Sequence, residues 1–284
     1  MPMRPDLILA HRFPEIRHEY TARDAILYAL GAGLGRDPVA PDDLVFLWEE
    51  NLAVLPTFAA TLCTPGLWLR APEFGIDFGK LVHAEQAATF HAPLPAAAET
   101  VGSARVALLA DRGPGRGAVV ALEREIRDAA SGTLYCTLRQ TLFLRGDGGF
   151  GGPSAPNPAS IVPERQPDTR AEFAVDPRAA LIYRLSGDPN PLHIDPEAAR
   201  RAGFDRPILH GLASYAIAGI AVSRACGFSP IRIAGLQCRF SSVVFPGDQL
   251  EFRIWRRDGV AVFQGFVGER KVLDQGLVSF RDEA

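Results

Sequence analysis

Residues Gly211–Ala225 read Gly-Leu-Ala-Ser-Tyr-Ala-Ile-Ala-Gly-Ile-Ala-Val-Ser-Arg-Ala. Small and apolar side chains fill nearly every face of the helix this stretch predicts, so the helix should be buried all round. Downstream the period changes. Arg232–Val244, Gln249–Arg256, Val260–Gly268 and Val272–Arg281 alternate or cluster as strands, and Pro246-Gly-Asp248 is a turn between the first two. A buried helix followed by long antiparallel strands is an α+β pattern. The predicted architecture is a curved antiparallel sheet wrapped around a central helix.

Directly before the helix lies Phe204-Asp-Arg-Pro-Ile-Leu-His-Gly211. A glycine at a helix start presents backbone N–H groups, and the helix dipole favours negative charge there. A carbonyl placed at Gly211 would have its developing charge held, as in an oxyanion hole. His210 reads as a packed or capping residue, with a second catalytic group as the alternative. Further upstream is Tyr183-Arg-Leu-Ser-Gly-Asp-Pro-Asn-Pro-Leu-His-Ile-Asp195. Asp188, Asn190 and His193 share one loop that Pro189 and Pro191 stiffen by fixing φ. A carboxylate, an amide and an imidazole on a rigid loop can hold one water and move its protons. The bland alternative is a turn with a solvated carboxylate, since Gly-Asp-Pro-Asn is also good turn chemistry. Asp195-Pro-Glu197 reads as an N-cap, a proline at the first helical position and an acidic first turn, so Asp195 is structural. No metal is expected. Asp-x-Asn opens calcium loops, but the glycine and glutamate that should follow are absent. A zinc site has no second His or Cys at ligand spacing.

The first half of the chain reads as a distant copy of the second. Tyr28-Ala-Leu-Gly-Ala-Gly33 lies on Tyr183–Asp188, Val54–Ala59 on Ile208–Ala213, and Phe90–Pro95 on Phe240–Pro246. The three matches fall in the same order at nearly equal spacing. Glu99–Asp111, Gly117–Asp128 and Thr133–Leu144 supply the matching strands, and a helical stretch is expected after the tyrosine motif in each half. In this overlay Gly33, Gly35 and Pro38 fall where Asp188, Asn190 and His193 stand, so the first half should carry no proton-transfer centre. Between the halves, Gly146–Arg170 is crowded with Gly, Pro, Ser and Asp and has no apolar period, which marks a linker. The expected units are residues 1–150, a linker 151–170, and 171–284.

Of 284 residues, 47% are apolar and 22% charged, the mixture of an ordinary globular protein. A net charge of -3 gives no reason to expect nucleic acid as a partner. Only Lys80 and Lys271 among the 30 basic residues are lysine, and the rest, as arginine, suit phosphate recognition. Cys63, Cys136, Cys226 and Cys238 show no metal-finger spacing and read as free thiols in a reducing compartment. The opening Met-Pro-Met-Arg-Pro-Asp has no signal-peptide core. The closing Phe-Arg-Asp-Glu-Ala is not a peroxisomal tripeptide. No apolar run reaches the ~18 residues of a membrane span. The preference for arginine over lysine, with much alanine and proline, reads as the codon bias of a GC-rich bacterial genome, so the expected location is the bacterial cytoplasm, away from membranes.

With these residues in hand, the chain resembles the type 2 enoyl-CoA hydratases, the MaoC-like group. Tyr183, Ser186, Gly187, Asp188, Asn190, Pro191, Leu192 and His193 fit the group's signature, and Pro207–Gly211 fits its Pro-Ile-Leu-His-Gly stretch. Tyr28–Gly33, Leu55–Phe58 and His83–Gln86 extend the likeness to the hydratase region of peroxisomal multifunctional β-oxidation enzymes. The resemblance implies a double hot-dog fold with only the second unit catalytic. It implies hydration of trans-2-enoyl-CoA to (3R)-3-hydroxyacyl-CoA. Asp188 and His193 would be the acid/base pair, Asn190 would orient the water or Asp188, and Gly211 would supply the oxyanion N–H. Substrate and CoA contacts would fall to His83, Ala84, Arg112, Pro189, Pro191, Leu192 and Phe240. CoA would enter as part of the acyl-CoA thioester substrate, with no separate cofactor, and a homodimer is expected. Two positions depart from the pattern: Ala84 stands where relatives have Gly, and Arg112 where they have Lys. A hot-dog acyl-CoA thioesterase and a non-enzymatic acyl-CoA-binding protein are the alternative readings.

Overall fold

The structure, a computed structural model, describes residues 2–155 and 158–282. Its helices are α1 (Pro5–Ala10), α2 (Ala22–Gly31), α3 (Pro41–Leu44), α4 (Ala179–Tyr183), α5 (Pro196–Arg201) and α6 (Gly211–Ala225). Its strands are β1 (Ile16–Tyr20), β2 (Leu81–Phe90), β3 (Ala98–Asp111), β4 (Ala118–Asp128), β5 (Leu134–Leu144), β6 (Thr169–Ala174), β7 (Ile233–Phe240), β8 (Gln249–Arg257), β9 (Val260–Val267) and β10 (Arg270–Phe280). Seven of the ten match the expected strands. The other three, β1, β2 and β6, have weaker signals. Edge strands β1 and β6 intersperse charges through Ile-Arg-His-Glu-Tyr and Thr-Arg-Ala-Glu-Phe-Ala. In β2, alanine replaces the branched residues that favour a strand. Strand β6 starts at Thr169, so the last two residues of the expected linker belong to the sheet.

All ten strands form one antiparallel sheet in the order β1-β3-β4-β5-β2-β7-β10-β9-β8-β6. Within each half the first strand pairs with the third, the third with the fourth, the fourth with the fifth and the fifth with the second. The two five-stranded halves therefore share one topology. They join where β2 pairs with β7, from Glu85↔Arg239 to Thr89↔Gly235.

The halves differ in what fills them. In the second, α6 is buried along nearly its whole length, as its composition requires. In the first, the matching place holds only a short 3-10 helix, Pro56–Thr61. Arg124 closes that helix from β4, donating to the carbonyls of Leu62 (2.7 Å) and Ala60 (2.9 Å). Cys63 then turns the chain at φ 48°, and Pro65-Gly66 follows, so no long helix can continue. One apolar core nevertheless spans both halves, with Tyr28, Phe58, Tyr183, Tyr215 and the inward residues of both half-sheets in contact. A second, smaller core lies on the other face of the first half-sheet. There Ile8, Leu69 and Phe74 cover Leu109, Val120, Leu142 and Leu144, which explains why the start of β4 is buried on both faces.

The beginning of the linker is pinned. The Asp111 carboxylate accepts from the N–H groups of Gly113 (2.7 Å), Gly149 (2.8 Å) and Gly151 (2.8 Å). Those bonds hold it below the ordinary carboxylate pKa.

Candidate active site

Helix α4 brings the chain to the motif, and a 3-10 turn, Arg184–Ser186, carries it on. Gly187 then sits at φ 107°, a left-handed conformation suited to glycine, and turns the chain into the loop. Asp188 Oδ1 accepts from the N–H of Asn190 at 3.2 Å. Asn190 Oδ1 accepts from the N–H of Leu192 at 3.1 Å and so caps the 3-10 turn Pro191–His193. Asn190 thus steadies Asp188 through its main chain, while its side-chain oxygen caps the next turn. Pro189 and Pro191 are exposed and Leu192 is half-buried. Asp195 caps α5 as its sequence suggests, accepting from Glu197 N–H at 2.8 Å.

His193 is buried, and its Nδ1 lies 2.9 Å from the carbonyl of Ile208. A carbonyl only accepts, so Nδ1 carries the proton and donates. Nε2 is then the lone pair, and it faces Asp188 Oδ2 at 4.0 Å. Two acceptors at that separation, each at ~2.8 Å from a shared water, would subtend roughly 90° at its oxygen, close to the water's own bond angle. Burial pushes the His193 pKa down, partly offset by the Ile208 bond and the Asp188 charge. The imidazole is therefore neutral and basic at neutral pH, next to a carboxylate that is 47% exposed and open to substrate.

Helix α6 begins beside this pair. The N–H groups of Ala213 and Ser214 turn back to the His210 carbonyl. Those of Gly211 and Leu212 have no partner among the described residues and remain for a ligand. The Phe240 ring, at the end of β7, lies where a Cβ on Gly211 would meet it at 3.5 Å. His83 approaches Phe240 edge-on at 4.9 Å, with its Nε2 at 3.1 Å from the Glu85 carbonyl. Burial pushes the His83 pKa down to about 4. Ala84 occupies a bulge between His83 and Glu85 and needs no left-handed φ, so the alanine is accommodated. Arg112 is exposed, with its guanidinium 5.2 Å from the centre of the Phe143 ring. Phe143 pairs with Val82, next to His83. The chain thus brings Asp188, His193, Gly211, His83 and Phe240 together and leaves Arg112 exposed outside this cluster, over Phe143.

Asp188, His193 and His210 also offer ligand atoms within 4.8 Å of one another. The two imidazoles are stacked, however, with centroids 3.7 Å apart and planes 26° apart. No point ~2 Å from both nitrogens lies in both ring planes, so one ring would have to turn before a metal could bind. As placed, Asp188 and His193 face one space suited to proton handling.

Comparison with known proteins shows the family. The MFE-2 hydratase 2 N-terminal domain model matches residues 18–146, and the MaoC-like domain model matches residues 158–276. The peroxisomal enoyl-CoA hydratase 2 of Arabidopsis thaliana is 40% identical over 97% of this chain and 95% of its own length. The chain belongs to the enoyl-CoA hydratase 2 family. The 3-hydroxyacyl-thioester dehydratase Y of Mycobacterium tuberculosis is 41% identical, covering 92% of this chain and 93% of that one. Among solved structures, a MaoC-like dehydratase of Phytophthora capsici superposes with a TM-score of 0.84 at 30% identity, over 99% of this chain and 100% of that one. A Mycobacterium tuberculosis protein described as a double hotdog superposes at 0.60 with 16% identity, a likeness of fold alone. The ten-stranded sheet of this hydratase 2 family member is therefore a double hot-dog, with its first helix reduced to a 3-10 turn.

Some of the site was not visible in the motif. The Ile208 carbonyl that sets the His193 tautomer lies 15 residues downstream. His210 is 1% exposed and stacked on His193. Tyr28 and Tyr183, paired in the internal overlay, meet ring to ring at 5.6 Å. That overlay was the one signal able to suggest their contact. In the first half, Gly33 faces Phe173, and Gly35 donates its N–H to Asp43 at 2.7 Å. Asp43 in turn pairs with Arg224 at the end of α6. The first-half counterpart of the Asp188–His193 loop has become a joint between the halves.

Proposed function

We propose that this chain is a hydro-lyase that adds water reversibly across the double bond of a trans-2-enoyl-CoA to give the (3R)-3-hydroxyacyl-CoA. The observation that carries this reading is the pair of acceptors, Asp188 Oδ2 and His193 Nε2, held 4.0 Å apart beside the N-terminus of a buried helix. One water donates a hydrogen bond to each. Its oxygen adds to C3. The displaced proton, carried by the pair, ends on C2, so atoms and charge balance. The Gly211 N–H, with the helix dipole behind it, holds the thioester oxygen as charge develops there. The names of the Arabidopsis and Mycobacterium relatives support the substrate class.

His83, Phe240 and the exposed Arg112 form the approach for the CoA portion, which is part of the substrate, with no separate cofactor. The first half carries no second centre and lines the acyl-binding side, where the short 3-10 helix replaces a long one. Each further buried CH₂ of the acyl chain would then contribute roughly 0.8 kcal/mol. We further place the enzyme in the bacterial cytoplasm as a homodimer. Mycobacterial relatives support the bacterial source. No helix among the described residues is long and apolar enough to cross a membrane.

The test is loss of enoyl absorbance across a chain-length series of trans-2-enoyl-CoAs, run with a thiol reagent and with chiral analysis of the product. Hydration to the (3R) product without CoA release, faster for longer chains than for crotonyl-CoA, is the expected result. Release of CoA would identify a thioesterase instead. Binding without turnover would identify a carrier. Light scattering at two chain masses checks the dimer.

A further inference from the structure

His210 has no part in the mechanism above, yet it touches three of its components. Its Nε2 lies 3.3 Å from the main-chain carbonyl of Asp188. Its ring stacks on His193 at 3.7 Å. Its own peptide carries the Gly211 N–H. On another side Tyr183 packs at 5.0 Å, tilted by 45°. With the side chain 1% exposed, the ring has little freedom to turn away.

The protonation pattern follows from the partners. The Asp188 carbonyl only accepts, so Nε2 of His210 carries the proton. Nδ1 is then an acceptor, and it is buried with no hydrogen-bond partner. Burial first, and then the neighbouring His193, lower the pKa of His210 to about 4, against the opposing pull of the Asp188 charge. The imidazole is neutral where the enzyme would work. His193, whose Nδ1 donates to Ile208, is the opposite tautomer. The two stacked rings thus present unlike nitrogens to the loop. One supplies a lone pair to the water and the other donates to the loop's backbone.

We propose that His210 is a positioning residue that sets the geometry of the Asp188–His193 pair, holding the loop by a donated hydrogen bond and the imidazole plane by stacking. This role rests on the hydratase reading above. A donor alone would fix the loop but not the ring, and a hydrophobe alone would fix the ring but not the loop. Histidine in the Nε2–H form does both. Misplacing reacting groups by about an ångström can lower a rate by roughly 10²-fold, so the effect should fall on turnover.

The variants His210→Phe and His210→Gln separate the two contributions. The first keeps an aromatic face and loses the donor. The second keeps a donor and loses the face. Hydration kinetics should show kcat lowered roughly 10- to 100-fold in His210→Phe, with KM changed by less than about twofold. His210→Gln should recover part of that loss. Retention of most of the wild-type kcat by both variants overturns the proposal. So does a rise in KM at constant kcat, or a Gln variant no better than Phe. The wild-type protein offers a second test that no folding defect can cloud. Long-range nitrogen–proton spectra of ¹⁵N-histidine-labelled enzyme should show His210 as the Nε2–H form and His193 as the Nδ1–H form. The same tautomer at both positions overturns the proposal. Asp188→Asn and His193→Gln run alongside keep the two levels apart. If they are inactive while the His210 variants turn over normally, only the positioning role falls. If they remain active, the hydratase pair itself falls.

Discussion

At Asp188 and His193 two short side chains, five residues apart, end as acceptors facing one space. Replacing either with its amide counterpart keeps shape and removes the capacity to carry a proton. Asp188→Asn and His193→Gln should each lose roughly 10²- to 10⁴-fold in kcat with the circular dichroism spectrum unchanged. A variant that keeps more than about a tenth of wild-type turnover removes that residue from the chemistry. The pH dependence has a definite sign. His193 must be neutral to accept a proton, and burial holds its pKa below the ordinary 6.5. The free-enzyme parameter kcat/KM should therefore be level on the alkaline side of that pKa and fall as pH drops through it. An acid limb centred above pH 6.5 would contradict the burial argument. These two residues were legible in the sequence because proline, glycine and their own spacing build the loop locally. His210 was legible as a packed or capping residue, and it is the buried N-cap of α6, but its stacking on His193 and the Ile208 carbonyl were not, because those contacts form only when the chain closes behind α5.

Elements show the same division between local and distant causes. The composition of α6 announced a buried helix, and the structure buries it. The first half differs because its counterpart is ended by Cys63 and by Arg124, whose guanidinium comes from a strand some sixty residues away in sequence. Period alone does not reveal such a stop. Strand β3 passes this turn so closely that a Cβ on Gly102 would collide with the Cβ of Cys63. Cys63 has little room to yield, being held at positive φ with its N–H donated to His18 Nδ1 at 3.3 Å. Gly102→Ala should thus destabilise the fold by about 1–3 kcal/mol, the usual cost of overpacking. Turnover per folded molecule should be little changed, since Asp188 and His193, the proposed pair, lie in the other half. An unchanged urea midpoint would show that the turn relaxes freely. The strands that sequence reading missed, β1, β2 and β6, are short of branched apolar residues. Their place in the sheet comes from pairing with neighbours rather than from their own pattern.

Across the whole molecule, the β2–β7 seam, the shared core and the Asp43–Arg224 pair leave no boundary along which one half could open alone. The expected outcome is a single unfolding transition, with far-ultraviolet dichroism and tryptophan fluorescence coinciding across a denaturant titration. Trp48 and Trp68 report on the first half and Trp255 on the second, so a two-step loss would be visible. Two separated transitions would mean the seam is weaker than its pairing suggests. The doubled topology also changes what variation can reach. In an assembly of two identical single units, a tyrosine at the symmetry axis would face its own copy, and every mutation there would strike both sides at once. Here Tyr28 and Tyr183 are encoded separately, and so are Gly33 and Gly35 and the Asp188–His193 loop on which they overlay. Mutational libraries confined to the first half can therefore reshape the wall we propose for the acyl chain while the codons for Asp188 and His193 stay untouched. An engineer, like natural drift, can search for new substrates on one side of the contact without risking the chemistry on the other.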